Sequence, residues 1–145
     1  MIIVRTMQLK DTEAVSALER EIFSMPWSKK GFEESLNSGH AVFFVAEEQN
    51  KIIGYCGMIV SIDEGEITNV AVAQTERCHG VGAQLIKAVL TEAEKRSIGR
   101  LVLEVRVSNE SAIRLYERNG FRNCGVRPNF YEKPKEDAYI MIYGQ

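Results

Sequence analysis

The change of hydrophobic period between Val72 and Val81 constrains this chain more than any other feature. Before it, apolar residues come in short strand-like runs: Val42-Phe43-Phe44-Val45-Ala46, then Ile52 to Ile62, then Ile67 to Val72. The polar turn Glu48-Gln49-Asn50-Lys51 separates the first pair, and Asp63-Glu64-Gly65 the second, so the three runs predict an antiparallel meander. From Gln74 to Gly82 the chain is polar and glycine-bearing. Val81, Leu85, Ile86, Val89 and Ala93 then follow at helical spacing, predicting an amphipathic helix that ends near Arg96 and Gly99. A strand that feeds a helix through a glycine loop needs a sheet with helices packed on it.

The remaining segments fill in that plan. Ile2 to Arg5 reads as an opening strand, and Asp11 as the cap of a helix over Thr12 to Phe23 with Val15, Leu18 and Ile22 on one face. Pro26 stops it, and Ser28 caps a second short helix carrying Phe32 and Leu36. Leu101 to Val105 is a strand with Glu104 near its end, Asn109 opens a helix that Asn119-Gly120 stops, and Phe121 to Val126 and Ala138 to Tyr143 are closing strands. The fold class is α+β (mixed α/β), with about seven strands in a mixed, mostly antiparallel sheet and about four helices.

Composition narrows the functions open to such a chain. Its 145 residues suit a single domain over 1–145, and 45% hydrophobic with 26% charged residues excludes intrinsic disorder. A net charge of -2 leaves no basic footprint for nucleic acid, so no direct nucleic-acid binding is expected. No apolar run reaches the roughly 20 residues of a membrane span, and Met1-Ile2-Ile3-Val4-Arg5 is not a signal peptide. Cys56, Cys78 and Cys124 are widely spaced and odd in number, which fits a reducing, cytoplasmic compartment. His40 and His79 have no partners at metal-ligand spacing, so no metal is expected.

The glycine loop carries the chemistry. Successive backbone N–H groups there, with the N-terminus of the following helix, suit an anion such as a pyrophosphate, and Gly80 and Gly82 allow close approach. Arg77 adds charge at the rim. The order Gly80-Val81-Gly82-Ala83 lacks the Lys of a Walker loop, and Leu85 replaces the third glycine of a dinucleotide fingerprint. Two glycines alone favour a turn that merely starts a helix.

Arg77-Cys78-His79-Gly80-Val81-Gly82 resembles the Arg/Gln-x-x-Gly-x-Gly/Ala loop of the GNAT superfamily of N-acetyltransferases, which use acetyl-coenzyme A. Asn69-Val70-Ala71-Val72 before it and Leu103 to Asn109 and Ala112 to Phe121 after it extend the resemblance. Pro26-Trp27-Ser28, Phe130-Tyr131 and Asp137 to Met141 are similar to the RimI-like branch, the ribosomal-protein-alanine N-acetyltransferases. What the resemblance implies is a GNAT-like fold and acetyl transfer from acetyl-CoA to the N-terminal α-amine of a protein, a small-subunit ribosomal protein beginning with alanine. A monomer or weak dimer is expected. Other amine acceptors, and a non-catalytic acyl-CoA-binding module, are the alternatives.

The same resemblance assigns residues. Val70, Ala71 and Val72 pair through their backbone with the pantetheine arm, and Arg77, Cys78, His79, Gly80, Val81, Gly82 and Ala83 take the pyrophosphate. Asn109 hydrogen-bonds the arm. Glu104 is the general base, since a carboxylate ending an apolar strand is costly unless it faces a cleft, water or a cation; a surface pair with Arg100 or Arg106 is its plainer reading. Tyr116 is the general acid, against a plain core role beside Ile113. Glu66 is the second candidate base, or a solvated turn residue. Trp27 and Tyr131 wall the acceptor groove, with helix packing as the other reading of Trp27. Cys78, beside His79 at a helix N-terminus, raises an acyl-cysteine route that ranks below direct transfer, because the amides there are already assigned to pyrophosphate.

Overall fold

Every hydrophobic run of the meander becomes a strand in the computed structural model, which describes residues 1–77 and 79–144. The chain runs β1 (Ile3–Thr6), α1 (Thr12–Ile22), α2 (Lys29–Ser38), β2 (Ala41–Glu48), β3 (Lys51–Ser61), β4 (Glu64–Val72), α3 (Val81–Lys95), β5 (Arg100–Arg106), α4 (Glu110–Arg118), β6 (Arg122–Tyr131) and β7 (Glu136–Gly144). The seven strands form one sheet in the order β1-β2-β3-β4-β5-β7-β6. Among the described residues, only β4 and β5 pair in parallel.

Both faces of the sheet are covered at β2, which explains why β2 reads as an unbroken apolar run. Phe43 and Val45 point to a core with Val15 and Leu18 of α1 and Phe32 of α2. Val42, Phe44 and Ala46 point to the opposite core, with Val81, Leu85, Ile86 and Val89 of α3. Each fully buried Leu or Phe stabilises the fold by roughly 1.5–3 kcal/mol.

Pairing between β4 and β5 is short. It runs from Glu64↔Arg100 to Glu66↔Val102 and then stops. On its other edge β4 carries a bulge: Cys56 pairs with Val70 and Met58 with Ile67, so Thr68 and Asn69 together oppose Gly57. A bulge adds twist and bends the strand that holds the extra residue. Beyond Glu66 the two strands therefore diverge, leaving the β5-facing edge of β4 from Ile67 to Val72 without a strand partner.

Three local expectations are corrected. Asp11 does not cap α1 with its side chain. It forms a two-pronged pair with Arg5, at 2.7 and 2.9 Å, and accepts from the Gln8 N–H at 2.8 Å, so a charged hydrogen bond outcompetes the cap. Gly65 is not a turn residue. The turn is Ile62-Asp63, and Gly65 lies within β4 where a Cβ would meet Leu101 Cδ2 at 2.6 Å. β6 runs on past Val126 to Tyr131. The Ser28 cap is as expected, its Oγ accepting from the Gly31 N–H at 3.0 Å.

Candidate active site

The divergence of β4 from β5 opens a cleft of about 580 Å³. One wall is β4 from Glu66 to Val70, and the other is β5 from Leu103 to Arg106. The segment between α1 and α2 contributes Phe23, Met25 and Trp27, α4 contributes Tyr116, and the end of β6 contributes Phe130 and Tyr131. Of the residues singled out from sequence, Trp27, Glu66, Val70, Glu104, Asn109, Tyr116 and Tyr131 all line it.

Glu104 points into this space from β5, with its side chain 11% exposed. Burial holds its carboxyl above the ordinary carboxylate range, Glu66 across the cleft raises it further, and Arg127 pulls it back down. The cation beside it is neither Arg100, which pairs with Glu64 at 2.5 Å, nor Arg106, which pairs with Glu136 at 3.1 Å. It is Arg127 of β6, whose Nε stands 3.3 Å from Glu104 Oε2.

Tyr116 is buried at the cleft's inner end, its ring 5.9 Å from that of Phe121. Burial raises its hydroxyl above the usual phenol value, so it is protonated at neutral pH. Burial also pushes Tyr131 up to about 12, with Glu104 adding to the shift. Arg106 lies over the Tyr131 ring at 4.4 Å and donates to the carbonyls of Glu132 and Pro134, fixing the β6–β7 turn against β5. Half-buried, Trp27 packs on Phe32 at 5.3 Å and Phe43 at 6.1 Å and also lines the cleft.

The other predicted residues lie at the far end of β4 and the start of α3. The side chains of Ala71 and Val81 are buried in the two cores, so only their backbones are free to meet a ligand. Arg77 Nε donates to the Val72 carbonyl at 3.2 Å. Gly80 stands at the N-cap of α3 with φ +79, a left-handed conformation that glycine adopts without strain. Gly82 lets α3 approach α4, since a Cβ there would meet Leu115 Cδ2 at 3.0 Å. His79 and Gly80 are exposed, and Ala83 is in the first turn of the helix. Cys78 lies outside the described residues. Asn109 caps α4, its Oδ1 accepting from the Ala112 N–H at 3.2 Å, which leaves its amide nitrogen to offer the cleft. Among the described residues, no three His, Cys, Asp or Glu side chains gather as metal ligands do.

Two charged residues escape the sequence reading. Arg127 falls beyond the predicted end of its strand. Glu19 is fully buried, accepting from Tyr55, Trp27 and Asn69. A signal for it exists: Glu19 shares the α1 face of Val15, Leu18 and Ile22, where a charge is out of place.

Residues 12–121 match the acetyltransferase (GNAT) family. The chain is 37% identical over 139 residues to a putative ribosomal protein bS18-alanine N-acetyltransferase of Bacillus subtilis (strain 168), covering 95% of this chain and 92% of that protein. It is 33% identical over 141 residues to the ribosomal protein bS18-alanine N-acetyltransferase of Escherichia coli (strain K12), covering 95% and 94%. The crystal structure of the ribosomal-protein-S18-alanine N-acetyltransferase from Escherichia coli shares the fold with a TM-score of 0.91 at 32% identity, over 99% of this chain and 94% of that one. The expected sheet with four flanking α-helices is thus found both in the chain's own structure and in a relative of the same architecture. The chain belongs to the acetyltransferase (GNAT) family.

Proposed function

We propose that this chain, as one domain, transfers acetyl from acetyl-CoA directly to the N-terminal α-amine of a protein, a ribosomal protein beginning with alanine. The observation that carries the reading is the divergence of β4 and β5, which leaves an unpaired strand edge beside a half-buried carboxylate and a buried phenol. The names of the relatives support the acceptor. A cytoplasmic location goes with that acceptor; no helix among the described residues is long and apolar enough to cross a membrane.

Acetyl-CoA supplies an activated acyl thioester. The free edge of β4 from Ile67 to Val72 offers backbone donors and acceptors at strand spacing for its extended arm. The N–H groups at the start of α3, with Gly80 and Gly82 clearing the approach, take its diphosphate. Arg77 must release the Val72 carbonyl for that group to pair with the arm. Glu104, ionised, accepts a proton from the acceptor's ammonium. An α-amine has a pKa near 8, so a base with a raised pKa suffices. As the freed amine nitrogen bonds to the acetyl carbon, the carbon–sulfur bond breaks. Tyr116, held protonated by burial, gives its proton to the departing sulfur, and the proton that the nitrogen then sheds restores the phenol by way of solvent. Glu66 adds negative charge where the ammonium arrives, and Trp27 and Tyr131 flank the entering chain.

The test is mass spectrometry of a peptide panel varied at its first residues and incubated with acetyl-CoA. Peptides beginning with alanine gain one acetyl group on the α-amine. Modification confined to internal lysines would reject the acceptor, and no modification at all would favour a binding module.

A further inference from the structure

The deepest carboxylate among the described residues does not line the cleft. Glu19 is 0% exposed, and a charge so placed is costly unless donors meet it. Three do, from three segments. The Tyr55 hydroxyl of β3 donates to Oε1. The Trp27 N–H, from the loop between α1 and α2, donates to Oε2 at 3.0 Å, and Asn69 Nδ2 of β4 reaches the same oxygen at 3.2 Å. Asn69 also extends to the Tyr55 hydroxyl at 3.5 Å, closing the network.

The two donors on Oε2 both come from residues that line the cleft, but from different segments. Trp27 is in the segment that walls the acceptor side, and Asn69 is in the bulge where β4 leaves β5. We propose that Glu19 is a positioning residue: its carboxylate clamps the acceptor loop to the bulge of the cofactor strand, holding the incoming amine in register with the thioester. This rests on the acetyl transfer proposed above. Neither Trp27 nor Asn69 can shift without removing a donor from a buried charge, so the two move together.

Trp27 is the single tryptophan of the chain, so its emission reports on the loop without turnover. In Glu19→Ala, shown folded by circular dichroism, the acceptor-peptide KM rises about tenfold, the acetyl-CoA Kd stays within about twofold, and Trp27 emission shifts to the red with more acrylamide quenching. In Glu19→Gln the amide oxygen still accepts from Trp27 and Asn69, and the amide NH2 donates to the Tyr55 oxygen. That variant restores KM and emission to within about twofold of wild type. A folded Glu19→Ala with wild-type KM and emission overturns the proposal. So does a parallel loss of peptide and acetyl-CoA affinity, or a folded Glu19→Gln that behaves like Glu19→Ala. Should Glu19→Ala not fold, Asn69→Ala severs the strand half alone and raises the peptide KM about threefold; no rise overturns the clamp. If wild-type protein acetylates no α-amine, the proposed function fails, and Trp27 emission still decides the clamp.

Discussion

At Glu104 the proposed role as base and the stability of the fold pull in opposite directions. Burial and Glu66 raise its pKa, so the rate falls as pH drops through a value above the ordinary carboxylate range. Removing Arg127, which lowers that pKa, moves the acidic limb of the pH–rate profile to higher pH in Arg127→Ala. Glu104→Gln lowers kcat by about 10²-fold or more and abolishes the limb, and Tyr116→Phe slows turnover while leaving acetyl-CoA affinity unchanged. For stability, a carboxyl with a raised folded-state pKa contributes fully below its unfolded pKa, and the contribution is lost as pH rises through the folded value. Glu104→Gln therefore melts higher than wild type at neutral pH, and the gap closes in acid; thermal melts at two pH values check it. Glu104 stands out because an acid interrupts an apolar strand, but that pattern alone favours a surface ion pair, and it is the family resemblance that points to a base. Arg127 does not stand out, because β6 is an edge strand with both faces largely exposed and so lacks the alternation that marks a strand's extent.

At the scale of elements, the bulge in β4 is what makes a cleft out of a sheet, and Gly57 is what lets the bulge fit. A Cβ at Gly57 would collide with the Phe43 ring and meet Thr68 Oγ1 at 2.7 Å. Gly57→Ala should destabilise the fold by about 1–3 kcal/mol and weaken acetyl-CoA binding, as the bulged strand shifts to make room. Denaturant melts and ligand titration read the two effects separately. The sequence reveals the meander, because turn residues and strand periodicity are local. It does not reveal the bulge, since an extra residue on one strand is defined only by the register of its neighbour. Gly65 misleads for a related reason: a glycine needed for close approach to Leu101 looks, in one dimension, like a turn.

At the scale of the molecule, the ligand is expected to tie the diverging half of the sheet together. Acetyl-CoA at 100 times its Kd should stabilise the folded state by about 2.7 kcal/mol. For a chain of this size the melting temperature then rises by roughly 5–10 °C. Tight binding with no such rise would mean that acetyl-CoA binds the unfolded chain as well as the folded one. Helix count, strand count and the glycine loop were legible because each is written in contiguous residues. The order β5-β7-β6 was not, because it depends on which distant strands meet. That order bears on how the molecule is assembled during synthesis. β7 is made after β6 yet lies between it and β5, so β6 has nowhere to dock until its successor has emerged. A chain interrupted before Glu136 would lack the strand that seats β6 beside β5, and on the proposed mechanism a nascent copy is expected to turn over no substrate until that final hairpin closes.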